Sequence, residues 1–297
     1  MKIIIYILML FNVAVAFAED NIEFRSVSLG TEDSVTDLSQ HGRHYDALNK
    51  YLSLDRDAEI SEKLACAQSS WALGLVNRAR DFWQELLVNP DIKEEQRFQI
   101  SLSEAILEMQ EGNFDVARSI AEQNVNKLPP SELRAQFWMI IAEALREQKV
   151  YSLAESYYKK AIEEGSDKIR SEANYQLGVN QMSIGLVNDA RYSFVTVPIN
   201  SEYAAKALRK LVEVDLIQKN YDGVLNWIAE GRKNFRSEFT DSWISYAALT
   251  AQLENDKFED AKREIQQMRL NNTSNNIWLT LAEAAYEAKA VKSFVAK

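Results

Sequence analysis

The feature that most constrains this sequence is a short pattern that returns every 32 to 38 residues. Two of its copies, GLVNRARDFW at 74–83 and GLVNDARYSF at 185–194, share six residues at the same places. A period of this length is typical of a solenoid, in which every repeat buries a face on its neighbours. One slot of the pattern is held by Ala47, Ala79, Ala117, Ala154, Ala190, Val224 and Ala261.

Each repeat is predicted to be a helical hairpin. Residues 134–148 carry apolar side chains at helical spacing, residues 151–165 do the same, and a short turn separates them. We expect Gly165 to end the second helix, because a glycine commonly follows a helix C-terminus. Small residues recur twelve positions before the slot, where we expect the paired helix backbones to approach closely. They are Ala67, Ala105, Ala142, Gly178 and, at the extrapolated place, Ala282.

The pattern resembles that of the tetratricopeptide repeat (TPR) family, W-x2-L-G-x2-Y followed by A-x3-F, A and P. The fourth repeat matches at Trp138, Ile141, Ala142, Ala154, Tyr158 and Ala161, and the fifth at Leu177, Gly178, Gly185, Ala190, Phe194 and, one place late, Pro198. The resemblance covers about residues 30 to 290. It implies an all-α, right-handed α-solenoid of stacked antiparallel helix pairs, with about six to seven repeats.

The N-terminus is expected to be a signal peptide at residues 1–18. Lys2 precedes an apolar run, and Ala16-Phe17-Ala18 is a small-x-small cleavage site. An uncleaved membrane anchor is the alternative, but the run is shorter than the roughly 20 residues that a spanning helix needs. No later run is long enough to span a membrane.

The mature chain is expected to begin with an arm at 19–30, followed by the repeat array at 31–297. An irregular seam is expected near 220–240, because Gly223 lies inside a predicted helix and Val224 replaces the alanine of the slot. Residues 275–297 are expected to form a truncated repeat that caps the array.

Charge and cysteine content narrow the partners and the compartment. The 44 acidic residues outnumber the 34 basic ones, for a net charge of −10, which disfavours nucleic acid as a partner. Cys66 is the only cysteine, so the chain has no intramolecular disulfide. An exported chain of this kind fits the bacterial periplasm best, with secretion as the second choice.

The sequence contains few candidate catalytic or metal-binding residues. His41 and His44, with Asp37 and Asp46 nearby, are compatible with a zinc site, but a polar turn of the first repeat is the favoured interpretation. Cys66 is expected in the core. No nucleotide-binding or hydrolase motif is present, so neither catalysis nor a cofactor is predicted.

The resemblance implies a binding surface. TPR ligands commonly contact positions 2, 5, 9 and 12 of each first helix, which line a concave groove. The pair of Lys and Asn that clamps a C-terminal carboxylate in some family members is missing from every first helix. Packing between helices is the alternative role for any one of the apolar residues at these positions. The candidate groove residues are Trp71, Ile106, Met109, Met139, Tyr175, Met182, Trp243 and Tyr246.

These observations favour a non-enzymatic periplasmic adaptor. It would hold a segment of a protein partner in its groove, within an envelope assembly such as a pilus, secretion or motor apparatus. The alternative is an accessory protein of polysaccharide synthesis or export, in which Trp71 and Trp243 would stack on sugar rings. A metal enzyme built on His41 and His44 is a third hypothesis.

Overall fold

The computed structural model describes residues 33–271 and 276–295. The expected signal peptide and arm, residues 1–30, lie outside this range. Every regular element within it is helical, which confirms the all-α prediction. The α-helices are α1 Val35–Gln40, α2 His44–Leu52, α3 Ile60–Ala72, α4 Val76–Val88, α5 Glu94–Glu111, α6 Phe114–Val125, α7 Glu132–Glu147, α8 Tyr151–Glu164, α9 Asp167–Ser183, α10 Val187–Val195, α11 Ala204–Ile217, α12 Tyr221–Asn234, α13 Ser242–Glu254, α14 Phe258–Asn271 and α15 Ile277–Val295.

Consecutive helices pair as hairpins. In the described part of the chain, α1 to α14 form seven such pairs, and α15 is the first helix of an eighth repeat without a described second helix. A 3-10 helix, Arg236–Phe239, connects α12 to α13. Within each unit described below, every second helix that is followed by another repeat also packs on the first helix of that repeat, as the stacking of a solenoid requires.

The chain divides into two compact units between Pro129 and Pro130. The described part of unit 1 contains α1 to α6, and its core surrounds Cys66 and Trp83. The described part of unit 2 contains α7 to α15, with a core around Phe194 and Leu211 and a further cluster between α13, α14 and α15. In the region of the expected seam, α12 is 14 residues long, equal to its partner α11, so this helix is not shortened.

One residue in the left-handed conformation closes every hairpin turn. Its φ lies between 55° and 81° in all seven turns. The N–H of the next residue then donates to a carbonyl five positions back, as from Leu186 to Gln181 at 2.9 Å, which is the Schellman bond. The left-handed residues are Gly42, Gly74, Gly112, Lys149, Gly185, Lys219 and Asp256.

Lys149→Gly is expected to raise the free energy of unfolding by about 0.5–1 kcal/mol. Lys149 adopts φ 63°, where a Cβ is unfavourable, and glycine removes that cost while adding some unfolded-state entropy. Urea denaturation of both proteins measures the difference. Gly185→Lys at the equivalent turn should lower stability, and a loss of stability in Lys149→Gly would contradict this account.

The small residues of the first helices have the packing role that the sequence suggested. A Cβ built on Gly178 would lie 2.5 Å from Cε1 of Phe194, so α9 and α10 can approach this closely only at a glycine. The equivalent alanines 67, 105, 142 and 282 are all 0% exposed.

Gly223 has a different role from the helix breaker suggested by the sequence. A Cβ at this position would collide with the Asp215 carboxylate and the Asn220 amide. Asp215 is fully buried and accepts hydrogen bonds from Nε of Arg191 at 2.8 Å and Nε1 of Trp227 at 2.7 Å. The glycine therefore provides the space that this buried, doubly bonded carboxylate occupies.

Gly223→Ala is expected to lower the free energy of unfolding by about 1–3 kcal/mol through overpacking, although alanine has the higher helix propensity. Asn226→Ala, an exposed change on the same helix, is the matched control and should be neutral or slightly stabilising. Guanidinium denaturation compares the three proteins. Stabilisation by Gly223→Ala would show that helix propensity, and not the space around Asp215, determines the effect of this substitution on stability.

Candidate protein-binding surface

The eight predicted groove residues all lie on first helices, but only half of them reach the surface. Four are at most 8% exposed and serve packing, so their side chains cannot contact a partner in this structure. The other four are half-buried. The buried residues are Ile106 and Met109 on α5, Met139 on α7 and Tyr175 on α9. The half-buried residues are Trp71 on α3, Met182 on α9, and Trp243 and Tyr246 on α13.

In unit 1, only Trp71 of the predicted set is accessible. Its ring meets the ring of Trp83 edge-on, with centroids 5.7 Å apart, and its Nε1 donates to Oε1 of Gln110 at 3.4 Å. Trp71 is therefore held between α3, α4 and α5.

In unit 2, accessible apolar side chains lie on three successive first helices. We call them the open first-helix face, and they consist of Val179, Met182, Leu216, Trp243 and Tyr246. All but Tyr246 pack against the same core cluster. Val179 and Leu216 occupy positions 9 and 12 of their helices, so the TPR resemblance implied their positions, although the predicted set did not include them.

The two aromatic residues of the open first-helix face are held by neighbouring groups. The guanidinium of Arg209 on α11 lies 5.2 Å from the ring centre of Trp243 and forms an ion pair with Asp241. Asp241 in turn caps α13, accepting from the backbone N of Trp243 at 3.0 Å. The ring of Tyr246 lies 5.3 Å from that of Trp278 on α15. The aromatic surface is thus positioned before any partner binds, which lowers the entropic cost of binding.

Two of the family's ligand positions, one on α7 and one on the first half of α9, hold buried glutamates instead. Glu143 is 6% exposed and Glu172 is 2% exposed. Arg146 donates from Nη1 to Oε1 of Gln176 at 2.7 Å and from Nη2 to Oε1 of Glu147 at 2.9 Å. This end of unit 2 therefore buries several polar groups, and the Arg146 guanidinium joins two of their neighbours, Gln176 and Glu147.

Burial controls the protonation of this cluster. It raises the pKa of Glu143, and it raises the pKa of Glu172 to about 8, with the charge of Glu143 contributing further. The hydroxyl of Tyr203 hydrogen-bonds Glu172, and burial raises the pKa of this tyrosine too. Glu172 is therefore largely protonated at neutral pH.

The raised pKa of Glu172 makes stability depend on pH. Because its ordinary value is 4.5 and its folded value is about 8, its contribution is complete below pH 4.5 and is lost as the pH rises through 8. We expect the free energy of unfolding to fall by about 2 kcal/mol between pH 6 and pH 8.5.

Urea denaturation at the two pH values tests this expectation. Glu172→Gln should remove most of the difference, and Glu163→Gln, an exposed change on α8, should retain it. An equal pH dependence in Glu172→Gln and wild type would assign the effect to another group.

The residues considered for catalysis serve the core and the first hairpin. Cys66 is fully buried, and burial raises its pKa to about 12, so its thiol stays protonated. Nδ1 of His44 hydrogen-bonds Oγ of Ser69 at 3.2 Å, and burial lowers the pKa of this ring. Nδ1 of His41 donates to the carbonyl of Asp37 at 2.7 Å. Among residues 33–271 and 276–295, no three His, Cys, Asp or Glu side chains are arranged to hold a metal ion.

No helix in the described part of the chain is both long enough and apolar enough to cross a membrane.

Comparison with known proteins identifies the fold. No protein-family model matches the sequence, and no curated protein sequence does. The apo form of RapI aligns with a TM-score of 0.64 at 9% identity, covering 87% of this chain and 81% of RapI. PilF of Pseudomonas aeruginosa aligns with a TM-score of 0.54 at 12% identity, over 69% of this chain and 93% of PilF. These structures are TPR proteins. The chain has the TPR fold.

A third structure is PilW, a widely conserved type IV pilus biogenesis factor. It aligns with a TM-score of 0.51 at 16% identity, over 68% of this chain and 89% of PilW. At these identities the similarity shows the TPR fold alone. The described part of the TPR array has seven complete repeats, at the upper end of the predicted six to seven.

Proposed function

We propose that this TPR chain is a non-enzymatic adaptor that binds a segment of a partner protein on the open first-helix face of unit 2. One observation carries the proposal. Five half-buried apolar side chains occupy successive first helices, at the positions where TPR proteins commonly contact ligands. Tyr175, another predicted groove residue of unit 2, belongs to the core cluster beneath this surface.

The chemistry of the face suits a peptide segment. Met182 is an unbranched, polarisable side chain that adapts to different apolar partners, and Trp243 and Tyr246 are residue types that dominate binding energy in interfaces. Arg209, which is already positioned against Trp243, adds a cation at the edge of the face. The partner segment is therefore expected to present apolar side chains at intervals that match α9, α11 and α13.

The proposed location is the periplasm, with secretion as the second choice, and the proposed setting is an envelope assembly such as a pilus, secretion or motor apparatus. The signal-peptide pattern at residues 1–18 supports export. The similarity in fold to PilW, a pilus biogenesis factor, supports the setting by analogy.

Photo-crosslinking in cells tests the proposed surface. A photoreactive residue at position 182 is expected to give one protein adduct in the envelope fraction. The same residue at position 192, where Tyr192 of α10 is 74% exposed, is the control and should not give that adduct. Equal adducts from both positions, or none from position 182 of a folded and exported chain, would argue against the open first-helix face.

Substitution then measures the contribution of the face. Met182→Glu is expected to weaken binding of the crosslinked partner at least about tenfold, because it places a charge among apolar anchors. Tyr192→Glu is the matched control and should bind as wild type does. Met109 is unsuitable for this test since it is 2% exposed, and a charge there would unfold unit 1. Circular dichroism should show unchanged helicity in both variants.

The polysaccharide alternative depends on Trp71 and Trp243. These residues lie in different units, and each ring already packs against a neighbouring side chain, Trp83 and Arg209 respectively. No feature of the described residues favours a sugar over a peptide at either ring. A tryptophan fluorescence titration with envelope glycans would reveal such binding as a saturable shift.

A further inference from the structure

The outward side of α15 is apolar. Ile277 is 69% exposed, Leu281 is 42% exposed and Val291 is 63% exposed. Ala284 and Ala288 are exposed between them. The five residues follow one another at intervals of four, three, four and three, which places them on one stripe along the helix.

The expected cap at residues 275–297 contains α15, whose outward side is apolar from Ile277 to Val291. A terminal repeat that caps a solenoid presents a polar outer face to water. Here Thr280 and Glu287 are the only polar residues among the exposed positions of α15 from Ile277 to Val291. The inward side is fully used, because Trp278, Ala282 and Tyr286 pack against α13 and α14.

Four residues of the stripe, from Leu281 to Val291, have a symmetric order of sizes. A two-fold axis passing beside Tyr286 would place Ala284 opposite Ala288 of an antiparallel copy, and Leu281 opposite Val291. The small residues then meet at the centre, where they allow the helix backbones to approach, and the larger residues meet on both sides. Few unrelated helices would match this order of sizes. A second copy matches it because the order reads the same in both directions along the helix.

We propose that α15 is the interface of a homodimer, in which Leu281, Ala284, Ala288 and Val291 pack antiparallel against the same four residues of a second copy, with Ile277 at the edge of the interface. The pairing gives the outward side of α15 an apolar partner. It is a closed, two-fold interface, so association stops at two copies. The proposal does not depend on the partner-binding role of the open first-helix face.

The proposed interface is small. One pair of helices of this length buries about 1,000 Å² in total, which is at the lower end of specific interfaces. Interfaces of this size are commonly weak, so the dimer is expected to dissociate on dilution.

Sedimentation equilibrium of the full chain, over about 1 to 100 µM, tests the proposal. The mass of wild type is expected to rise from one copy to two. Leu281→Glu should remain monomeric, because the carboxylate would face Val291 of the second copy. Leu270→Glu is the matched control, since Leu270 is 84% exposed on α14 and lies off the stripe, and it should dimerise as wild type does.

Three results would overturn the proposal. They are a wild type that stays monomeric at every concentration, a Leu281→Glu variant that dimerises as wild type does, and a mass that exceeds two copies. A monomeric wild type whose α15 binds a helix of another protein would assign the stripe to that protein.

Cysteine crosslinking tests the orientation without a destabilising charge. A mixture of Ala284→Cys and Ala288→Cys chains is expected to form an intermolecular disulfide, because the two positions face each other in the antiparallel pair. Ala284→Cys alone should crosslink poorly, since its own copy lies four residues away along the helix. The native Cys66 is fully buried and is not expected to form disulfides with the introduced cysteines. Efficient crosslinking of Ala284→Cys with itself would indicate a parallel pair and overturn the proposal.

Discussion

The TPR hairpin depends on two residues that are always five positions apart. The first adopts the left-handed conformation and reverses the chain, and the second is a small residue that is 0% exposed in every one of the seven described hairpins. The turn fixes the direction in which the second helix leaves, and the buried slot fixes how closely that helix approaches its partner. Stacking of one repeat on the next then follows, because a hairpin this small cannot bury both faces alone.

The residue types at these two positions vary from one hairpin to the next. Lys149, Lys219 and Asp256 take the left-handed position in turns where four other hairpins have glycine, so the Schellman bond forms even where the residue is unfavourable. In the sixth hairpin, Val224 fills the alanine slot and Gly223 precedes it. That glycine is needed beside the buried Asp215 carboxylate, which explains a residue that intrinsic propensity alone would place outside a helix.

The sequence predicted the repeats well because their determinants are local. Turn residues, helical periodicity and the small slot all act within one hairpin, and all recur at the same spacing. The binding surface was predicted only in part, because a position number gives the side of a helix and says nothing of what covers it. Met139 and Met182 both occupy ligand positions of first helices, yet the first is 0% exposed and the second is half-buried.

The buried polar groups illustrate the same limit. Glu143 and Glu172 look like ordinary solvated glutamates in the sequence, and only the tertiary structure shows that they are enclosed. The burial of Glu172 raises its pKa to about 8, which no local pattern indicates. Arg146 and Gln176, thirty residues apart, become partners only when α7 and α9 stack.

Helix α15, the last one described, contributes to both the open first-helix face and the apolar stripe of unit 2. On its inward side, Trp278 packs against Tyr246 and so completes the support of the open first-helix face. On its outward side, the same helix carries the apolar stripe that the proposed dimer would bury. One helix therefore supports a binding residue of α13 and also presents a second apolar surface. Since Leu281 and Met182 lie on separate helices, loss of the proposed dimer need not disturb the proposed binding of a partner segment.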